Sequence, residues 1–138
     1  MKVFFDTNVY AAEALLGETA EQLIDKTLQA GWRIQASGYV LEELERVLTK
    51  KLGFSRRLAV LSCQRIKRRS RMVEADASRH VVPDDPKDNP ILNAALASSA
   101  DYLVTNDAHL LSLNPFHGLR IVSMTDYYNI LVSEGLIK

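Results

Sequence analysis

A chain of 138 residues has room for one domain with a proper hydrophobic core. Its 17 basic and 17 acidic side chains cancel to a formal net charge of zero, so overall charge points to no polyanionic partner and any nucleic-acid signal has to be local. A single cysteine, Cys63, excludes an internal disulfide and a multi-cysteine zinc site.

That cysteine content suits a reducing cytoplasm. Met1-Lys2-Val3-Phe4-Phe5 meets Asp6 before any leader-type apolar run forms. No stretch approaches the roughly 18 apolar residues of a membrane span. The expectation is a soluble, globular, cytoplasmic chain with no membrane partner.

Lys2 to Phe5 is a short apolar run that reads as a buried strand, followed by three residues suited to capping a helix, Asp6-Thr7-Asn8. Val9 to Leu16 reads as a helix stopped at Gly17, and Glu18 to Ala30 as a second with Leu23, Ile24 and Leu28 on one face. Trp32 to Ala36 is a strand. Ser37 opens a helix to about Lys50, with Val40, Leu41, Leu44, Val47 and Leu48 at core spacing. Ser55 to Val73 is predicted as one helix, His80 to Val82 as a short strand or extended link, and Pro83-Asp84-Asp85-Pro86 as a turn. A helix follows from about Asp88 to Ser99, then a strand Tyr102 to Val104 and a short helix Asp107 to Leu111. The chain closes with a strand Leu119 to Val122 and a helix Asp126 to Val132. Short apolar strands alternating with helices predict a single α/β domain over residues 1–138. Its core should be a mainly parallel sheet of four to five strands flanked by helices.

In open α/β sheets, ligands bind beyond the carboxyl ends of the strands, where strand order reverses. Asp6 directly follows the first strand, and Asp107 follows Tyr102–Val104 after Thr105 and Asn106. If those strands are neighbours, the two carboxylates converge. Asp88, at the start of a predicted helix, and Glu43, on the Ser37–Lys50 helix, are further candidates. Helical phase points Glu42 away from the core face and leaves Glu43 and Glu45 on its two boundaries, so periodicity does not choose between them. Each aspartate alone reads as an N-cap, worth about 1 kcal/mol, and Glu43 alone as a solvated helix residue. A set of acids at one sheet edge repels itself unless cations or protonation offset the charge. All-oxygen ligands favour Mg2+ or Mn2+.

Four segments match a known pattern in order and spacing. They are Val3-Phe4-Phe5-Asp6-Thr7-Asn8-Val9, Leu41-Glu42-Glu43-Leu44-Glu45-Arg46-Val47-Leu48, Asp85-Pro86-Lys87-Asp88-Asn89, and Ala100-Asp101-Tyr102-Leu103-Val104-Thr105-Asn106-Asp107. The chain thereby resembles the PIN-domain family over essentially its full length, particularly the PIN toxins of toxin–antitoxin systems. The resemblance implies that Asp6, Glu43, Asp88 and Asp107 are metal ligands and catalytic acids, with Asn8 and Thr105 as polar supports. It selects Glu43 over Glu45. Asn106 departs from the Gly or Arg commoner at that position, which touches only the local turn. The implied activity is a Mg2+- or Mn2+-dependent endoribonuclease, leaving a 5′-phosphate and a 3′-hydroxyl. The implied partners are RNA, a cognate antitoxin protein and a second copy of the chain in a homodimer. The alternative is a catalytically silent PIN-like module that binds RNA or protein.

Lys50, Lys51, Arg56, Arg57, Arg65, Lys67, Arg68, Arg69 and Arg71 fall in a stretch with no Asp or Glu. Such asymmetry is an electrostatic footprint for a polyanion, and Arg65, Arg68 and Arg69 are the candidate RNA contacts, against the plain reading of a solvated helix or a patch for an acidic protein. His80, His109 and His117 are scattered and read as surface residues, Cys63 as packing and Trp32 as core. Tyr127 and Tyr128 lie on the last helix, where a dimer contact has room but nothing in the sequence supports one. Two other hydrolytic and signalling readings fail. A haloacid-dehalogenase-type phosphatase needs a second Asp two residues after the first, where this chain has Asn8; a phosphoacceptor receiver needs an acid pair by strand one, and Glu13 is too far along.

Overall fold

The opening apolar run forms the middle strand of the sheet. In a computed structural model describing residues 1–73 and 89–137, β1 (Lys2–Phe5) is flanked on one side by β2 (Arg33–Ser37) and β3 (Arg71–Val73). On the other side lie β4 (Tyr102–Val104) and β5 (Arg120–Val122). The order is β3-β2-β1-β4-β5 and every pairing is parallel. Parallel neighbours need crossovers, and the helices supply them. These are α1 (Thr7–Leu16) and α2 (Glu18–Gln29) after β1, then α3 (Gly38–Arg46) and α4 (Arg56–Arg69) after β2. The rest are α5 (Asn89–Ala97) before β4, α6 (Ala108–Leu111) after it, and α7 (Met124–Ser133) last.

Strands buried on both faces carry continuous apolar sequence, and Val3, Phe4, Phe5, Leu103 and Val104 are fully buried. Burying each such side chain contributes roughly 1.5–3 kcal/mol. Phe5 meets the rings of Tyr10 and Tyr127 edge-on, with centroids 6.0 and 5.7 Å away. Around the sheet, α1 packs on α2 and α3, α2 on α7, α3 on α4, and α5 against β2 and β4. Gly17, at φ +76°, lets α1 turn into α2 while its N–H bonds Ala12 O at 3.2 Å.

Several expectations shift. The predicted helix Ser55–Val73 ends at Arg69, because Ser70 is extended at φ −130° and ψ 155°. Arg71–Val73 then forms the edge strand. Its first two residues are exposed, so no alternation marks it as a strand. The predicted Ser37–Lys50 helix is α-helical only to Arg46, then widens to a π-helical turn over Val47–Lys51 in which Leu52 N bonds Val47 O at 3.1 Å. The first helix begins at Thr7 and the last at Met124, capped by Ser123. Tyr127 is fully buried and bonded to Thr27, so it belongs to the core and is no surface for a second copy. The predicted strand His80–Val82 and turn Pro83–Pro86 lie outside the described residues. No described helix is long and apolar enough to cross a membrane.

Candidate active site

Strand order reverses between β1 and β4, one side leading back to β2 and β3 and the other on to β5. Both strands end at this edge, in register, with Phe5 opposite Val104. Asp6 extends β1 by one residue, its N–H bonding Val104 O at 3.0 Å, and Thr105 N bonds Val122 O at 2.9 Å. The first residues past each strand are thus as fixed as the strands.

Asp6 is 5% exposed. One carboxylate oxygen accepts from Thr7 N at 2.7 Å, which caps α1, and the other from the hydroxyl of Thr105 at 2.7 Å. The Thr105 hydroxyl also accepts from Asp107 N at 3.0 Å, so one side chain ties the two acids together. Asp107, half-buried, caps α6 by accepting from Leu110 N at 3.0 Å. The capping reading of Asp6 and Asp107 therefore holds, and it coexists with their convergence at one edge.

Burial pushes the Asp6 carboxyl up to about 6; its bonds from Thr105 and Thr7 pull the other way, and the charges of Glu43 and Asp107 add to the rise. Glu43 reaches this field from the first turns of α3. Its Oε2 accepts from the Tyr39 hydroxyl at 3.1 Å and lies 3.8 Å from Arg46 Nη2. Glu45 sits on the other boundary of α3, 3.8 Å from Arg56, lining the groove between α3 and α4 with Leu41, Val60 and Cys63. Glu42 is exposed, as helical phase requires. Asn8 is exposed on the first turn of α1. Asp88 lies outside the described residues. The structure thus brings Asp6, Asp107 and Thr105 into one bonded cluster, with Glu43 in electrostatic reach.

Sequence reasoning does not single out Tyr39 and Arg46, although their spacing of four and three residues from Glu43 puts all three on one helix face. Nor does it anticipate the job of Asn106, whose side chain accepts from Met124 N at 3.0 Å and ties this edge to the start of α7.

The donor set fits a hard divalent cation: it is all oxygen, mutually repelling, and partly buried. Thr7 Oγ1, next to Asp6, is buried without a partner, a polar atom left over at the same edge. Among the described residues no three His, Cys, Asp or Glu side chains lie close enough to hold a metal directly.

The basic stretch is less free than its composition suggests. Arg69, with a side chain 12% exposed, makes a bidentate pair with Glu13 at 2.8 and 2.8 Å. Arg65 lies 3.7 Å from the same carboxylate. Burial opposes the charge on Arg69, but the Glu13 bonds outweigh it and hold the guanidinium charged. Arg69 thus fastens α4 to α1, a job its expectation as an RNA contact did not include. Arg68 is exposed.

The profile of the family described as PIN domain matches residues 2–109. The chain belongs to the PIN-domain family. Two solved structures share its PIN fold. The chain is 17% identical to VapBC2 from Rickettsia felis, crystallised with a DNA fragment from its promoter, with a TM-score of 0.63 over 89% of this chain and 98% of that one. It is 19% identical to VapC20 of Mycobacterium tuberculosis, a sarcin–ricin loop cleaving toxin, with a TM-score of 0.58 over 86% of this chain and 98% of that one. No curated protein sequence matches the chain.

Proposed function

We propose that this PIN domain is a metal-dependent endoribonuclease and the toxin of a type II toxin–antitoxin pair, acting in the cytoplasm. One observation carries the reading: a buried aspartate, held by a threonine hydroxyl at the strand switch point, whose charge is opposed by Glu43 and Asp107. That arrangement is costly to the fold and useful to a cation. Membership of the PIN family supports it, as does the likeness in fold to an RNA-cleaving toxin.

In this reading Asp6, Glu43, Asp107 and Asp88 hold Mg2+ or Mn2+, and Asn8 and Thr105 support them. Bound by these residues, a cation would supply charge neutralisation at the phosphate and a more acidic water. The protein's own part is orientation. Thr105 and Thr7 N fix both oxygens of Asp6, Leu110 N fixes Asp107, and Tyr39 fixes Glu43. With both oxygens of Asp6 taken by fixed donors, the carboxylate meets its ligand without rearranging. RNA backbone binding falls to Arg68 and the neighbouring basic side chains of α4, with Arg65 held partly by Glu13. The likeness to VapBC2 supports a cognate antitoxin as partner, and a homodimer belongs to the same reading.

The test is incubation of a mixed RNA pool with the purified chain and Mn2+, with Asp6→Asn as control. Cleavage by the wild type alone supports the proposal. Equal RNA loss with both proteins assigns the activity to a contaminant. Specific RNA binding without cleavage assigns the chain to the silent-module alternative.

A further inference from the structure

Tyr39, Glu43 and Arg46 stand at i, i+4 and i+7 on α3, and both outer residues address the same oxygen of the middle one. The Tyr39 hydroxyl donates to Glu43 Oε2 at 3.1 Å, and Arg46 Nη2 lies 3.8 Å from it. The two contacts differ in kind. The Tyr39 bond is partly buried and within hydrogen-bonding distance. The Arg46 contact is longer than a hydrogen bond, and the arginine side chain is 62% exposed. An exposed pair of that length contributes little to stability, so the guanidinium is readily drawn to another anion.

Resting on the nuclease reading above, we propose that Arg46 is a substrate-binding residue that takes a phosphate of the RNA strand beside the cut, while Tyr39 is a positioning residue that keeps Glu43 aimed at the acid cluster. Among the described residues, Arg46 is the one cation in an ion pair with a candidate site carboxylate. Arg69 is committed to Glu13, with Arg65 beside the same carboxylate, and Arg56 faces Glu45 on the other boundary of α3, away from the acid cluster's candidate Glu43. A guanidinium suits phosphate because its planar fork can bond two oxygens at once. Arg46 lies three residues past Glu43, about 4.5 Å along the helix axis. Its arm therefore reaches a phosphate neighbouring the one at the acids. When Glu43 engages a cation its hold on Arg46 weakens, and the approaching strand supplies the replacement anion.

The proposal separates binding from turnover. Affinity of a labelled single-stranded RNA for the full chain is measured by fluorescence anisotropy in EDTA, where no cleavage occurs, at two salt concentrations. Arg46→Gln is expected to weaken affinity about tenfold and to flatten the salt slope by about 0.7, one phosphate contact on a single strand. Arg46→Lys restores the slope and part of the affinity. Tyr39→Phe leaves affinity within twofold. In cleavage assays with Mn2+, Arg46→Gln raises KM with kcat within twofold; Tyr39→Phe lowers kcat about tenfold and raises the Mn2+ concentration for half-activation, with KM unchanged. Wild-type affinity and salt slope in Arg46→Gln overturn the assignment of Arg46, and a loss confined to kcat does the same. An unchanged kcat and Mn2+ requirement in Tyr39→Phe overturn its positioning role. If the wild type binds RNA and does not cut it, the nuclease reading fails, while the EDTA measurements still decide the role of Arg46.

Discussion

The hydroxyl of Thr105 donates to the carboxylate of Asp6 at 2.7 Å, joining residues 99 apart in sequence. The contact exists because β1 and β4 are adjacent and in register. Thr105→Val keeps the shape and removes the donor, leaving a buried carboxylate oxygen unsatisfied. We expect a loss of about 1–3 kcal/mol of stability at neutral pH, a higher Asp6 pKa, and a fall in cleavage of at least tenfold. Thr105→Ser should sit close to wild type. Urea unfolding and RNA cleavage of both variants check this, and wild-type behaviour of the valine variant would contradict it.

The raised pKa of Asp6 makes the metal-free fold pH-dependent. Unfolded, this carboxyl titrates near 3.8; folded, near 6. Between those values the native state holds a proton that the unfolded state lacks. Stability is therefore greatest below the lower value, falls as pH rises through about 6, and then levels off. The shift corresponds to about 3 kcal/mol at most. In EDTA at pH 7.5, Asp6→Asn should be more stable than wild type by about 1–3 kcal/mol, and the gap should close towards pH 4. Mn2+ should stabilise the wild type and leave Asp6→Asn unchanged. Thermal melts over this range, with and without Mn2+, read both effects; a gap independent of pH would sink the account.

Two acids two residues apart on α3 should behave oppositely. Glu43 shares the field of Asp6, whereas Glu45 faces Arg56 across an exposed contact. Glu43→Gln should abolish cleavage with little loss of stability. Glu45→Ala should leave cleavage within twofold. Equal losses at both positions would show that the wrong boundary of the helix has been assigned to the site.

Arg68 and Arg69 are neighbours in unlike surroundings, one exposed and one paired with Glu13. Arg69→Gln removes the main partner of the buried Glu13 carboxylate and should cost about 3 kcal/mol. Arg68→Gln should cost no more than about 0.5 kcal/mol and weaken RNA binding equally across unrelated sequences, with a flatter salt slope. Chemical denaturation paired with anisotropy separates the two. Loss of RNA binding in a stable Arg69→Gln variant would return that residue to the RNA surface.

Much of this was legible because the features that build the site are local. Phe5 closes a buried apolar run and Asp6 follows it as a cap, and Val104 and Asp107 repeat the pattern. Their mutual approach depended on strand order, which no local pattern encodes. β3 is hidden from the sequence because a three-residue edge strand with two exposed side chains has no burial period to display. The pairing of Arg69 is hidden for a different reason: a run of arginines looks alike in sequence, and its partner Glu13 lies 56 residues earlier. Helical phase places Glu42 outside and leaves Glu43 and Glu45 balanced; what distinguishes them is the charge that Glu43 shares with Asp6, a residue far off in sequence.

The register that sets Phe5 opposite Val104 also acts as the ruler of the cleft. The acids are one residue beyond β1 and three beyond β4, so a small slide of one strand against the other becomes an equal error in their spacing. A misplacement of about 1 Å can cost a hundredfold in rate, far more than it costs a packed sheet in stability. Inactivating changes should therefore gather not only at the acids but among the wholly apolar residues beneath them, Phe4, Phe5 and Leu103, in proteins that still fold and still bind RNA. A selection for cells that survive expression of this chain would recover such positions, and their map would trace two parallel strands.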